Sequence, residues 1–526
     1  MIKRPDALKL GDSESHLKLS YVKKVERNVV EPVWSINGTD ELTLRLIRDI
    51  NLSDMGELLS GNRFSQGFAY ILANPLPSKD DIINQREAIS EISQPENSAK
   101  LDDIIVSMYN FGLDKETINE YGRGTHDKLK FLQHYSTIVQ KLAEFSSFKS
   151  KPFKEIGEYA DQILKSDDYL FVPMTAERGL NHLKLTMEIS EDPNGVHSQI
   201  RFLKTKYGPK IPTANILRHF GHRFKAGILF MARYKWAAGS AVRCLVEENT
   251  AQMADTLQLL PIFEFYKSLI NYEDQIKNND VSVYPEFSDV TDISNLEHPL
   301  KGLKPLKKQR EWYEREEEEK TVEKPQSIPN NYQSNKSHST LLITGANNGG
   351  KTYFSKAVGI SQLLAQRGTK IVASDAKISL VDDVYTHFVA SDDPIHGEGR
   401  YKFELRRMDE ILERCTPRSL IIVDEPCGGT DPAMGQVQSS YFLEALSKTG
   451  AQVIFNTHYH VLAEMANILP QIRNIHPDTN FKDDKLIYTY KMLPGPAGTS
   501  YALEVARAMN LGKDSLLEKA ERAKNR

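Results

Sequence analysis

The spacing of apolar residues divides the chain into a helical stretch and an alternating one. From residue 41 to about 275, apolar positions recur mainly at helical intervals. After Pro77, the run Ser78-Lys79-Asp80-Asp81 sets a hydroxyl three residues before an acid, the order that opens a helix, and Ile82, Ile89 and Ile92 then share one face. A second long helix is predicted from 213 to about 248, with Ile216, Leu217, Phe220, Phe224, Ile228, Met231 and Leu245 turned to the core. Between 161 and 212 lie short strand-like and turn-rich pieces, including 169–172 and the turn Asp192-Pro193-Asn194-Gly195. After Ser339 the period changes to α/β, with strands predicted at 341–344, 370–373, 419–424, 452–456 and 486–491 and helical patterns between most of them. Such alternation implies a largely parallel sheet that binds ligands at its strand ends.

Composition narrows this picture only slightly. At 526 residues the chain has room for roughly three or four domains. Its 40% hydrophobic and 26% charged content is that of a globular protein with an ample core. Residues 307–320, K-K-Q-R-E-W-Y-E-R-E-E-E-E-K, form a charge-dense segment followed by a Pro/Asn/Ser-rich stretch, read as a solvated helix and connector. A formal net charge of −4 neither implies nor excludes nucleic acid, because a whole-chain balance can hide a basic face. Arg218, Arg223, Lys225, Arg233 and Lys235, interleaved with Phe224, Tyr234 and Trp236, would suit such a face or equally a solvated helix surface. Three scattered cysteines, Cys244, Cys415 and Cys427, make no metal-ligand spacing and fit a reducing compartment. With no apolar signal core and no apolar run long enough for a bilayer, a cytoplasmic location is expected.

The chemistry centres on residues 340–352, T-L-L-I-T-G-A-N-N-G-G-K-T. An apolar run leads into Gly345, four intervening residues, then Gly350-Lys351-Thr352, and Phe354, Val358, Leu363 and Leu364 follow at helical spacing. The β and γ phosphates of a nucleotide must be met by several backbone N–H groups at once, and Gly345, Gly349 and Gly350 let the main chain curl with no Cβ in the way. The helix N-terminus adds its dipole, Lys351 reaches the phosphates and the Thr352 hydroxyl suits Mg²⁺. Candidate nucleotide-binding residues are therefore Gly345, Ala346, Asn347, Asn348, Gly349, Gly350, Lys351, Thr352 and Tyr353. The alternative is a chance match in a glycine-rich loop, and the flanking strand and helix argue against it. Further on, Leu420-Ile421-Ile422-Val423 ends in Asp424-Glu425. An apolar strand delivering acids to the phosphates lets Asp424 help hold Mg²⁺ and lets Glu425 polarise the attacking water. Asn456-Thr457-His458-Tyr459 closes the next apolar strand, and His458 is a candidate sensor of the γ phosphate, the alternative being a structural histidine.

Together these pieces resemble the MutS family. T-G-A-N-N-G-G-K-T stands where the family favours T-G-P-N-M-x-G-K-S, and D-E-P-C-G-G-T-D where it has D-E-x-G-R-G-T. N-T-H-Y-H-V-L, the segment A-G-T-S-Y-A-L-E-V-A-R at 497–507, the stretch 62–89 with its Pro-Leu and Gln-Arg marks, and Glu297-His298-Pro299-Leu300 extend the likeness. The resemblance implies an α plus α/β chain, with an elongated helical core or lever domain followed by an ABC-type P-loop ATPase domain. The expected division is a segment 1–40, a helical domain 41–289 and an ATPase domain 290–526 with a charged insertion at 303–336. It also implies ATP and Mg²⁺ as cofactors and a homodimer in which each nucleotide lies between one subunit's P-loop and the other's signature segment. Asn347 would sit near the attacking water, Asp382 would be the acidic position of the intervening loop, and Tyr490 would stack on adenine or else be a plain strand aromatic.

Departures from the family pattern shape the functional expectation. Ala346 replaces a proline, and the signature Ser-Thr-aromatic-x-x-Glu-Met reads Gly399-Arg400-Tyr401-Lys402-Phe403-Glu404-Leu405, so the hydroxyl expected to cross to the partner's nucleotide is missing. Arg400 is a candidate to supply that contact, with a solvated loop arginine as the alternative. Mismatch-reading members carry an N-terminal domain with a Phe-x-Glu wedge, and roughly fifty residues ahead of the likeness are short of the usual ~100. The expected activity is ATP hydrolysis controlling the grip on mismatched, branched or recombination-intermediate DNA in repair or recombination. The alternative is a nucleotide-gated scaffold that binds protein and not DNA.

Overall fold

The computed structural model describes residues 17–24, 29–36, 39–61, 63–121, 125–166, 169, 172, 185–190, 199–205, most of 242–277, 281–304, 327–346, 348–388, 399–482, 485–498, 507 and 509–524. The turn at 192–195, the charged segment 307–320, Asn347 and nearly all of the helix expected over 213–248 lie outside them. The chain divides into two compact units, one made chiefly of 94–263 and the other chiefly of 33–93 and 264–526.

In chain order, β1 (Leu17–Lys24) pairs with β2 (Val29–Ile36), and four helices follow: α1 (Glu41–Asp49), α2 (Leu52–Ser60), α3 (Ser65–Leu72) and α4 (Lys79–Ile92). Ser78 caps α4 as its sequence requires: its Oγ accepts from the Asp81 N–H at 3.2 Å and donates to the Asp81 carboxylate at 2.8 Å. The first unit then supplies α5 (Pro95–Tyr121), α6 (Thr125–Ala143), α7 (Lys151–Lys165) and a hairpin of β3 (Leu185–Ser190) and β4 (Gln199–Thr205). Aromatic rings fill its core: Phe111 stacks on Phe131 at 4.5 Å, and Phe145 on Phe153 at 5.5 Å. Helix α7 crosses the turn at Glu144–Ser147 so closely that a Cβ on Gly157 would lie 1.9 Å from the Ser146 nitrogen.

The second unit resumes through α8 (Leu260–Lys277), β5 (Glu286–Phe287), β6 (Thr291–Leu296), β7 (Asn330–Ser334), β8 (Thr340–Thr344), α9 (Lys351–Gln366), β9 (Asp375–Ile378) and β10 (Val384–Phe388). It ends with α10 (Arg400–Arg414), β11 (Leu420–Asp424), α11 (Pro432–Ser447), β12 (Gln452–Thr457), β13 (Ile472–Lys482), β14 (Lys485–Pro494) and α12 (Lys513–Lys524). Six strands form one sheet in the order β10-β11-β12-β8-β13-β14, parallel throughout except for the antiparallel β13/β14 edge. Every residue of β8, β10 and β11 is buried, as expected of a parallel sheet covered on both faces. A four-stranded sheet, β5-β9-β6-β7, accompanies it.

Two expectations change here. The strand expected at 370–373 does not form. That apolar run is buried, but only Ile371 makes a bridge, to Val283, and the strand begins at Asp375 in the smaller sheet. Burial alone made 370–373 apolar; the alternation exposed-buried-exposed-buried of Asp375, Ala376, Lys377 and Ile378 is the strand signal. Two strands of the main sheet, β10 and β13, were not expected, because β10 buries the polar Thr386 and His387 and β13 contains Pro477.

Helices α1 and α2 belong to the second unit and are pinned to its sheet by polar contacts. Asp49 accepts from the buried Arg407 guanidinium on α10 and, at 2.7 Å, from Thr386 on β10, while Lys356 on α9 donates to Asn51. Among the described residues no helix is long and apolar enough to cross a membrane.

Candidate functional site

The carboxyl ends of β8, β11 and β12 lie side by side, with Asp424 in register with Asn456 and Thr344 with Thr457. Strand β8 runs out at Thr344 into the glycine loop, whose backbone is left-handed at Asn348 (φ 66°) and Gly350 (φ 90°), and α9 begins at Lys351. Pro477 of β13 presses on this loop: a Cβ on Gly349 would meet its ring at 2.7 Å. Helix α9 has no side-chain cap among the described residues. Its first N–H groups thus face the loop, the arrangement that receives an anion.

Four side chains converge on that loop. Lys351, only 4% exposed, folds back to donate to the carbonyls of Gly345 at 2.8 Å and Ala346 at 3.1 Å, with its Nζ 3.5 Å from Glu425 Oε1. Burial lowers its pKa, against the pull of Glu425 and Asp424. Thr352 Oγ1 donates to the Asp424 carboxylate, lying 3.1 and 2.9 Å from its two oxygens. Asn456 donates to Asp424 Oδ1 at 2.7 Å and accepts from Ser355 at 3.1 Å, a second tie on the acid besides the threonine. Burial raises the Asp424 pKa, and the bonds from Asn456 and Thr352 oppose that rise. The donor set is one carboxylate and one hydroxyl, both hard oxygen ligands that fit Mg²⁺. No cluster of three or more His, Cys, Asp or Glu that would hold a metal unaided occurs among the described residues. A Mg²⁺ ion at this donor set would draw the rest of its shell from phosphate and water.

Glu425 turns out of the strand in a left-handed conformation (φ 49°), with its N–H bonded to the Asn456 carbonyl at 3.0 Å. The side chain is thereby held between Lys351 and His458, whose Nδ1 lies 3.8 Å from Glu425 Oε2. His458 is 45% exposed and packs on Tyr459. Tyr353, one residue beyond Thr352, stacks at 4.1 Å on His298. Burial pushes the His298 ring down to about 3, so it is neutral in that stack.

The family model for MutS domain V matches residues 341–526, from β8 to the C-terminus. Over this region the chain is similar to the MutS family. It is 33% identical over 201 residues to the DNA mismatch repair protein MutS of Lactobacillus acidophilus, a match covering 38% of this chain and 24% of that protein. The corresponding protein of Streptococcus thermophilus is 33% identical over 204 residues, covering 39% and 24%, and that of Lactobacillus delbrueckii subsp. bulgaricus 34% over 192 residues, covering 36% and 22%. The match thus spans about a quarter of the length of these curated relatives.

Against the MutS pattern, the structure brings together Gly345, Ala346, Gly349, Gly350, Lys351, Thr352, Asp424, Glu425 and His458, and Tyr490 lies beside Gly350. Asn347 is outside the described residues. Asp382 is not brought there. It precedes β10 and accepts from Ser419 (3.0 Å) and Thr416 ahead of β11, at the end of the sheet opposite Asp424. Arg400 opens α10, pairs through Nε with the buried Glu404 at 3.1 Å, and lies across Gly428 and Gly429. Its Nη2 is 3.1 Å from where a Gly428 Cβ would be. Gly428 holds the place of the family's D-E-x-G-R-G-T arginine, so here an arginine reaches that loop from a helix. Asn456, Ser355 and Pro477 had no assigned role in the sequence, since only the register of parallel strands places them against Asp424 and the glycine loop.

Proposed function

We propose that the chain is an ATPase of the MutS type, in which Mg·ATP binding and hydrolysis control the grip on mismatched, branched or recombination-intermediate DNA. The observation that carries this reading is the convergence of Lys351, Thr352, Asp424 and Glu425 around one uncapped helix N-terminus. Polyphosphate would replace the Gly345 and Ala346 carbonyls as the partner of Lys351. Thr352 and Asp424 would hold Mg²⁺, which when bound neutralises charge on the phosphate oxygens. Glu425, fixed by its backbone bond to Asn456, would take the proton of the attacking water, with His458 beside it and Tyr490 stacked on the base. Asn347 would stand near that water.

The reading includes a homodimer with composite sites and a helical core or lever domain over 41–289 that would shift on DNA as the ATPase domains close. The relatives' description as DNA mismatch repair proteins and the resemblance in 62–89 support it. In the dimer, Arg400, anchored by Glu404, would supply the contact that the missing signature hydroxyl makes elsewhere. Arg400→Ala should then lower both the rate and the cooperativity of hydrolysis; if neither changes, that role is removed.

Binding of four-way, forked, mismatched and plain duplex DNA across a salt series, with ATP and with ADP, tests the DNA reading. Affinity should depend on nucleotide and fall linearly in log–log form as salt rises, with a slope reporting the phosphates neutralised. Absence of binding to every DNA at low salt in both nucleotide states would favour the protein-binding scaffold.

A further inference from the structure

Strand β14 carries Tyr490 past the glycine loop on a kinked backbone. Its register with β13 shifts between Pro477 and Thr479, and Tyr490 itself is left-handed (φ 58°). A bulky residue resists that conformation, and a bulge leaves ladder groups without strand partners. Asn330, buried at the start of β7, meets both needs. Its Nδ2 donates to the Tyr490 carbonyl and to the Ile328 carbonyl, each at 3.0 Å, and its Oδ1 accepts from the Met492 N–H at 2.7 Å. The neighbouring Lys491 ammonium donates to the Pro329 carbonyl. The chain on both sides of Tyr490 is thus tied to 328–330. The phenol ring, 44% exposed, stacks on Tyr488 at 6.1 Å, and its Cδ1 is 3.2 Å from where a Cβ on Gly350 would be.

We propose that Asn330 is a positioning residue for the nucleotide base: it holds Tyr490 as an aromatic platform at the edge of the P-loop. The proposal rests on the nucleotide-binding reading above. Its action is selective, because the ring serves a ligand with an aromatic base and adds nothing for a bare polyphosphate. An amide is required, since two carbonyls face Nδ2 while an N–H faces Oδ1. An isosteric carboxylate would turn an oxygen toward two carbonyls.

The test is calorimetric titration of the full chain with Mg·ATP and with magnesium tripolyphosphate. Base stacking on an aromatic ring supports roughly tenfold tighter binding of ATP by the parent chain. Asn330→Asp and Asn330→Ala should weaken ATP by about that factor, leave tripolyphosphate within about twofold, and match Tyr490→Ala; the double variant Asn330→Ala/Tyr490→Ala should be no worse than Tyr490→Ala alone. Retained tripolyphosphate binding also reports that the variants are folded. The proposal is overturned if Asn330→Asp binds ATP like the parent, if it loses both ligands alike, or if the two losses add. A parent chain that binds neither ligand overturns the nucleotide reading itself.

Discussion

Lys351 and Asp424 are buried charges with opposed needs, and in the proposed site Mg·ATP would serve both. Lys351 now spends its donors on the Gly345 and Ala346 carbonyls, and burial lowers its pKa. Removing the ammonium should therefore cost ATP binding more than stability: Lys351→Ala is expected to raise the ATP dissociation constant about 100-fold, the scale of losing charge-assisted hydrogen bonds. Filter binding of labelled ATP checks this, and unchanged affinity would contradict it. A second acid shows the same physics away from the site. Burial pushes Asp383 up to about 6 from an ordinary 3.8. Below about pH 3 the group is protonated in both the folded and the unfolded chain. As pH rises toward 6 the unfolded chain loses its proton first, so the native state loses stability, by at most about 3 kcal/mol above pH 6. Asp383→Asn should accordingly raise the unfolding midpoint of the C-terminal unit at pH 8 and leave it little changed at pH 4. Equal shifts at both would refute the assignment. At this scale the sequence pointed to two short motifs, Gly345 to Thr352 and Asp424-Glu425, whose described residues the fold brings together. It hid those that act through register, since nothing in the spacing of Asn456, Ser355 or Asn330 says what they face.

Among the elements, legibility followed the clarity of the apolar pattern. Strands β8, β11 and β12 were readable because buried parallel strands are continuous apolar runs. Strand β10 was hidden by Thr386 and His387, whose burial is made tolerable for Thr386 by the Asp49 bond and is accompanied by a strongly depressed pKa at His387, caused by desolvation with Arg407 and Arg45 nearby. The capping of α4 by Ser78 was readable from four residues. The packing of α7 was not. Gly157 meets the backbone at Ser146, a neighbour that cannot rotate away. Gly157→Ala should therefore destabilise the first unit by about 3 kcal/mol, the upper part of the overpacking range, although alanine is the better helix former. Denaturant titration of the full chain, followed by a probe in that unit, checks the sign; stabilisation would mean that α7 does not approach so closely.

For the whole molecule, the likeness to MutS proteins covers residues 341–526, and the roles of DNA, of a second subunit and of the helical unit are proposals built on it. All of them depend on one property of the second unit: that the hollow between the glycine loop and Asp424-Glu425 holds Mg·ATP and that Glu425 activates water there. The direct measurement is the Glu425→Ala variant, assayed for bound ATP and for single-turnover hydrolysis beside the parent chain. Loss of a general base should slow hydrolysis by at least about 100-fold while ATP binding stays within a few-fold of the parent. Hydrolysis at the parent rate, or loss of ATP binding together with turnover, would contradict the account.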